Sequence, residues 1–456
     1  MAFAITQNCC SDATCVKVCP VNCIHPTPEE RAFGSTEMLH IDPKTCIDCG
    51  ACSDACPIDA IQPVEALFGP EQVYADINAA YFEGEEPASV EDSPNFHAWG
   101  APTFDRAIPS DMPKLDVAVV GTGPAGMYTV EDLVLHTPAH VTLYDRLETP
   151  GGLVRYGVAP DHPSTKKVAQ TFARFLDHAR VTLRTGVEIG RDVSHEELAG
   201  RHDAVIYAVG ASDDRRLGAP GEEHALAATR FVGWYNGHPD VPADAFSLDT
   251  ERVVVVGMGN VALDVARVLL SDPERLAGTS IAPHALEALR DSRVREVVLV
   301  GRSDAARAAY TRNEMLGLRS TPGLEVVDDG TLSDAPGRRV VLRYETVTER
   351  ITSDGIVTTT GDEIPAGLVL RAIGSRGVPT EGLPFDAGRA FVPNEAGRVD
   401  GLPGTYVVGW AKRGPSGGIG ANRTCAQETV GSLLDDVRAG RVEVRTRRRR
   451  LLLPLL

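Results

Sequence analysis

The stretch Val117-Ala118-Val119-Val120-Gly121-Thr122-Gly123-Pro124-Ala125-Gly126 constrains this chain's fold more than any other. Four apolar residues read as a buried parallel strand. Gly121-x-Gly123-x-x-Gly126 then turns the chain into a helix. The first glycine allows the tight turn, the second admits a pyrophosphate to the backbone, and the third lets helix and strand pack closely. Unpaired N–H groups at the helix start suit phosphate charge, which the helix dipole also favours. A helix-forming run follows. A second apolar strand, Val141-Thr142-Leu143-Tyr144, ends in Asp145, where an acid is expected to read a ribose hydroxyl. Gly121, Gly123, Ala125, Gly126 and Asp145 are the expected contacts to one dinucleotide.

A second unit repeats the design. The strand Val253-Val254-Val255-Val256 runs into Gly257-Met258-Gly259-Asn260-Val261-Ala262, with Ala262 at the third small position. Leu263, Ala266, Val268 and Leu269 continue a helix with an inward face. Two such units imply two dinucleotides, such as FAD and a nicotinamide, and Gly257, Gly259, Asn260 and Val261 are expected at the second. The next strand, Val297-Val298-Leu299-Val300, ends in Gly301-Arg302. An arginine there favours a 2′-phosphate, hence NADP over NAD. Ser303 and Asp304 follow, and Arg307 and Arg312 stand either as supplements or as solvated surface charges.

The N-terminal quarter differs in charge and chemistry. Net charge is −18, which argues against nucleic acid as a partner. Residues 1–112 hold 18 acidic and 4 basic side chains, so most of that charge belongs to a separate acidic module on a nearly neutral body. Nine of the ten cysteines lie between Cys9 and Cys56; the tenth is Cys425. No secretory leader is visible, so this clustering reads as metal ligation and the protein as cytoplasmic. No apolar run is long enough to span a bilayer.

The cysteines form an internal repeat. Cys46-x2-Cys49-x2-Cys52-x3-Cys56-Pro57 matches Cys9-x2-Asp12-x2-Cys15-x3-Cys19-Pro20, with Asp12 in the second cysteine's place. In two-cluster ferredoxins three closely spaced thiolates hold one iron–sulfur cluster and the fourth crosses to the other. One cluster then takes Cys46, Cys49, Cys52 and Cys19, the other Cys9, Cys15 and Cys56. The second site admits a [3Fe–4S] cluster, or a [4Fe–4S] cluster with Asp12 on its fourth iron. Cys10 is a less well spaced substitute for Cys9, and Cys23 falls outside both sets as a buried free thiol. Zinc fits two repeated runs closed by Cys-Pro poorly.

From Gln72 to Pro113 no sustained period appears, so this segment reads as a linker, with Tyr74, Tyr81, Phe82, Phe96 and Trp99 as packing anchors. After Asp145 comes Pro150-Gly151-Gly152-Leu153-Val154-Arg155-Tyr156-Gly157-Val158-Ala159-Pro160-Asp161-His162-Pro163, whose glycines and prolines disfavour regular structure. This stretch resembles the flavin-side loop of adrenodoxin-reductase-type ferredoxin–NADP reductases. The resemblance extends through Tyr207-Ala208-Val209-Gly210-Ala211, Phe231-Val232-Gly233-Trp234-Tyr235-Asn236-Gly237, the second glycine turn, and Gly409-Trp410-x3-Gly414-Pro415. With its cysteine module the whole chain resembles a fused bacterial ferredoxin/ferredoxin–NADP reductase.

The resemblance implies an α/β fold. Two Rossmann-like dinucleotide-binding domains, the FAD domain discontinuous, follow a small α+β two-cluster ferredoxin domain. The expected layout is a ferredoxin domain at 1–70, a linker at 71–113, an FAD domain at 114–230 and 366–440, an NADP domain at 231–365, and a basic, apolar tail at 441–456. Leu368-Val369-Leu370 is expected back in the first domain, and residues 428–438 as its last helix. Resemblance also implies FAD contacts from Leu153 and Val187. Trp410 would cover a flavin or nicotinamide face, and Gly417, Gly418 and Ile419 would offer backbone amides to the flavin edge. His162 and Glu314 are implied as polar catalytic support, and Arg302 as the 2′-phosphate contact. Family members carry a second arginine where this chain has Ser303. No Cys-x-x-Cys occurs in the body, which disfavours a flavin–disulfide reductase.

The implied activity passes electrons between NADPH and ferredoxin-type clusters through FAD, with two iron–sulfur clusters as cofactors. NADPH and a ferredoxin or other one-electron acceptor protein are the partners. Two alternatives are an electron-input subunit of a larger complex, as in glutamate synthases, and a redox-responsive binding protein without turnover.

Overall fold

A computed structural model describes residues 2–34, 36–83, 112–333 and 337–444. Phe96, Trp99 and the tail from Arg445 to Leu456 lie outside the described residues.

The cysteine module is a small two-fold repeat. Two short antiparallel pairs, Phe3–Ile5 with Ile61–Pro63 and Ile24–His25 with His40–Ile41, flank the helices Thr14–Val18 and Ala51–Ala55. The repeat seen in the cysteines recurs in the backbone. Ser11, Ala13 and Asn22 have positive φ, and so do Asp48, Gly50 and Asp59, 37 residues later in each case. Ala13 and Gly50 start the two helices; Cys19 and Cys56 end them.

The expected linker does not begin at 71. Val73–Tyr81 is a helix packed on the module, because Asn78 stitches it there. Its amide oxygen accepts from Ile5 N (3.1 Å) and Ile41 N (2.8 Å), and its amide nitrogen donates to Ile5 O (2.8 Å). Tyr74 is buried, and Tyr81 stacks on His40 with ring centroids 4.3 Å apart. An asparagine on the inward face masks the apolar period on which sequence reading relies.

The body is two parallel sheets flanked by helices. The first runs, in spatial order, Asn394–Glu395, Arg398–Val399, Thr405–Val407, Ala204–Tyr207, Asp116–Val120, His140–Tyr144, Val181–Arg184. Its last five strands are parallel, with Val117 opposite both Val141 and Ala204. The second runs Ala225–Ala227, Leu368–Arg371, Arg252–Val256, Glu296–Val300, Arg339–Arg343, Glu325–Val327, all parallel.

Four further expectations need correction. Leu368–Arg371 belongs to the second sheet, where Val369 pairs with Val254. The apolar run Leu368-Val369-Leu370 shows burial on both faces, not in which sheet. The two passages between sheets lie side by side at the antiparallel pair Asp213–Asp214 and Ser375–Arg376, so 230 and 366 are not where the chain crosses. The buried Arg371 fixes that seam, reaching Asp214 (2.6 Å) and Glu222 (3.2 Å). The Pro150–Pro163 loop contains a helical turn, Gly152–Tyr156. Positive φ at Gly151 and Gly152 sets its start, and burial of Val154 and Tyr156 holds it. The last helix is longer than residues 428–438, spanning Ala421–Arg438. Among the described residues no helix is long and apolar enough to cross a membrane.

Candidate functional site

Both glycine turns have the geometry that phosphate approach needs. Gly121 has φ +108°, and a Cβ there would sit 2.5 Å from Ala208 O. A Cβ on Gly126 would lie 1.9 Å from Gly121 O, so helix and strand touch backbone to backbone. Gly123 stands at the start of the Pro124–His136 helix without a side-chain cap, which leaves the first amides open to a ligand. Gly152 closes over this turn: its Cβ would meet Gly123 Cα at 2.7 Å. Leu153, next along, is an apolar side chain 48% exposed. Ala125 is buried beneath Gly409, whose φ of +69° and missing Cβ allow the approach.

Asp145 is held by the glycine turn itself. One of its oxygens accepts from Thr122 N (2.9 Å) and Thr122 Oγ1, the other from Leu147 N (2.9 Å). Its carboxylate locks the glycine turn to the second strand. Val187 donates its N–H to Asp145 O (2.9 Å) and packs half-buried under the same strand end.

At the second turn Gly257 has φ +129°, with a Cβ position 2.2 Å from Ala372 O. Gly259 starts the Asn260–Leu270 helix, again uncapped. Val261 is 43% exposed at this helix start. Asn260 accepts from Thr311 N at 2.7 Å, tying the turn to the segment that caps the Arg312–Arg319 helix. Arg302 is exposed at the strand end. Arg307 pairs with Asp304 at the surface through Nε (3.0 Å) and a terminal nitrogen (2.8 Å).

His162 and Glu314, 152 residues apart in sequence, meet at the seam between the sheets. What joins them is a residue that sequence reading missed: Arg267, on the Asn260–Leu270 helix and 6% exposed. Its guanidinium forks onto Asp161 (2.7 and 3.0 Å) and donates to Asp264 (2.7 Å) and His162 Nε2 (2.5 Å). Glu314 lies 3.8 Å away. Arginine has only donors, so His162 Nε2 accepts and the ring proton sits on Nδ1. Burial pushes Asp161's carboxyl up, but the Arg267 bonds and charge outweigh it and hold the group below the usual carboxylate value. Burial raises Glu314, and the Asp264 charge adds to the shift. The guanidinium occupies the centre where a cation bridging His162, Asp264 and Glu314 would stand. An arginine interrupting an otherwise apolar helix face was the available signal.

Trp410 opens the Trp410–Arg413 turn and is half-buried. Its indole N–H donates to Ser416 O (3.0 Å) and Gly417 O (3.2 Å), which shapes the Gly417-Gly418-Ile419 segment before the final helix.

The cysteines collect around two cavities as the crossed repeat requires. Cys19, Cys46, Cys49 and Cys52 line one; Cys9, Cys15, Cys56, Cys10 and Asp12 line the other. The donor chemistry fits iron–sulfur clusters. Thiols converge on each cavity, and backbone N–H groups point at the sulfurs of Cys9 from Ser11 (3.4 Å), Cys19 from Cys23 (3.4 Å) and Cys56 from Ala60 (3.2 Å). Cys23 is buried as expected but also joins the first cavity, with its sulfur 3.4 Å from that of Cys19. Hydrogen bonds from its thiol hold Cys19 and Cys46 below the usual thiol value. Asp12 turns its carboxylate to Thr14, accepting from Thr14 Oγ1 (2.5 Å) and Thr14 N (3.3 Å).

Residues 115–315 match the family model for pyridine nucleotide-disulphide oxidoreductases, and residues 39–62 the 4Fe-4S binding domain. A probable ferredoxin/ferredoxin–NADP reductase of Mycobacterium bovis is 45% identical, over 97% of this chain and 85% of that protein. The NADPH-ferredoxin reductase FprA of Mycobacterium tuberculosis is 41% identical, over 70% of this chain and 84% of its own length. The solved structure of FprA in complex with NADPH superposes with a TM-score of 0.68 at 38% identity, covering 73% of this chain and 88% of that one.

Proposed function

Because the chain belongs to the fused ferredoxin/ferredoxin–NADP reductase family, we propose that it passes electrons from NADPH through FAD to its own two iron–sulfur clusters and on to a ferredoxin or other one-electron acceptor protein. The observation that carries this is the union, in one chain, of two built dinucleotide cradles and two crossed thiol cavities. The chemistry supplied when FAD and the clusters are bound is the splitting of a hydride's electron pair into single electrons. The protein's part is placement. The amides after Gly123 and Gly259 take the two pyrophosphates, and Leu153 and Val261 cover apolar faces of the bound groups. Arg302 takes the 2′-phosphate. Arg267 holds His162 with its proton on Nδ1, and Thr311 caps the helix that presents Glu314, which fixes the nicotinamide amide. Gly417, Gly418 and Ile419 present backbone to the flavin edge, under Trp410.

Cys19, Cys46, Cys49 and Cys52 hold a [4Fe–4S] cluster. Cys9, Cys15 and Cys56 hold a [3Fe–4S] cluster, a reading supported by the commitment of Asp12's oxygens to Thr14. An anaerobic NADPH titration followed by visible absorption and EPR tests the whole reading. The expected course is loss of flavin absorbance, then appearance of reduced-cluster signals. Flavin that does not bleach, or iron-free protein after reconstitution, overturns it. An EPR signal in the air-oxidised protein reports the [3Fe–4S] cluster, and its absence would assign Asp12 as a ligand.

A further inference from the structure

We propose that the iron–sulfur module is locked onto the flavin domain rather than swinging on a tether. Electrons then reach it only at the cavity of Cys9, Cys15 and Cys56, and leave only at the rim of the cavity of Cys19, Cys46, Cys49 and Cys52. At that rim docks a soluble one-electron carrier protein with a basic collar around an apolar contact. This rests on the function proposed above.

The lock is visible in backbone and charge. Gly420 N donates to Cys10 O at 2.9 Å, and a Cβ on Gly420 would lie 2.1 Å from that oxygen and 2.4 Å from Asp12 N. The loop carrying Cys9 and Asp12 therefore rests directly on the residue that follows Ile419. Ile58 and Ala60 share one apolar core with Val117, Val119 and the Ala421–Arg438 helix, and Cys9, Cys10, Cys56 and Ile419 pack against that core. Arg423 stands in the middle. It lies 4.8 Å over the Tyr128 ring, 3.4 Å from Glu131 and 3.8 Å from Asp12. Lys167 pairs with Asp59 from the flavin side. The module also reaches the other domain, where Glu37 accepts from Arg312 N (2.9 Å) and Asn313 donates to Met38 Sδ (3.0 Å). A module fastened to both domains gives up the freedom that a tether's effective concentration assumes.

The other cavity faces away from these contacts. Residues of the module alone line it, Cys49 is exposed, and Ile47 and Val18 are 56% and 37% exposed. Asp48 and Asp54 flank it at the surface. Residues 1–70 carry 9 acidic and 3 basic side chains, which favours a basic collar on the incoming carrier. The overall reaction balances as NADPH plus two oxidised carriers giving NADP+, one proton and two reduced carriers.

Full-length holoprotein carrying Arg423→Glu tests the lock, with Gly420→Ala as the second variant should the first fail to fold. Three quantities are read: flavin bleaching by NADPH in stopped flow, cluster reduction by freeze-quench EPR, and hydrogen exchange of residues 9–15. Bleaching should keep its wild-type rate while exchange rises and cluster reduction slows at least ~10-fold, as expected when a desolvated interface charge is reversed. Clusters that reduce at the wild-type rate while exchange rises would overturn the lock and leave the proposed function standing. Wild-type flavin that NADPH does not bleach would instead remove that function. For the outlet, carbodiimide coupling of oxidised protein to horse cytochrome c, a basic haem protein, should join its lysines to Asp48 or Asp54. Coupling at other carboxylates, or none, rejects that docking face.

Discussion

At Gly121 and Gly257 the backbone takes the same left-handed form, and a Cβ at either would strike a carbonyl oxygen of the strand end beside it, Ala208 or Ala372. Beyond that first residue the two cradles part. In the first, Gly126 brings the helix against Gly121 O, and Asp145 closes the turn by taking Thr122 and Leu147 as donors. In the second, Ala262 keeps a methyl between helix and strand, no acid closes the turn, and Val261 and Arg302 stand exposed. The first is a turn stapled shut from inside. The second keeps its recognition groups at the surface. That difference suits a resident cofactor in the one and an exchanging dinucleotide in the other.

Gly126→Val breaks the first cradle most severely. Its branched side chain would begin 1.9 Å from a backbone oxygen that cannot move without the strand, at a cost of more than about 3 kcal/mol. The purified variant should lack flavin absorbance and melt well below the parent. Retained yellow colour would show the close approach to be dispensable. Gly257→Ala should leave flavin content unchanged while raising the KM for NADPH by ~10–100-fold, because a strained turn costs about 1–3 kcal/mol. A loss of FAD in this variant would erase the distinction between the two cradles.

The seam between the cradles gives the next effect. Arg267→Leu leaves Asp161, Asp264 and Glu314 half-buried without their common cation, and should cost about 3 kcal/mol of stability. Thermal unfolding reads that cost. Slower flavin bleaching at saturating NADPH, partly restored in Arg267→Lys, would show that the guanidinium also positions His162. A melting temperature equal to that of the parent would refute its role at the seam.

What the sequence made legible follows the range of each signal. The glycine turns and the 37-residue cysteine repeat are local patterns, and the structure builds both as spaced. Longer-range features stayed hidden. Leu368-Val369-Leu370 showed its burial but not its sheet, since three apolar residues fit either. The Val73–Tyr81 helix was missed because its key inward residue, Asn78, is polar and is satisfied by strands more than 35 residues away. Arg267 went unread, because its partner Asp161 lies 106 residues back in the chain. Asp145 was legible in place, while the bonds that Thr122, a residue the pattern leaves unspecified, makes to its carboxylate were not.

The smallest effect is expected at the strand end that distinguishes the second cradle. Arg302 is exposed there, while Arg307 pairs with Asp304 and the backbone N–H of Arg312 donates to Glu37 of the module. Arg302→Ala should therefore lower kcat/KM for NADPH by ~10-fold, about one charge-assisted phosphate contact, and leave that for NADH unchanged. Ser303→Arg should act in the opposite sense, with a second guanidinium raising the preference for NADPH. Equal losses with both coenzymes in Arg302→Ala would mean that the arginine shapes the strand end rather than reading the 2′-phosphate, and the contrast with Asp145 would then rest on exposure alone.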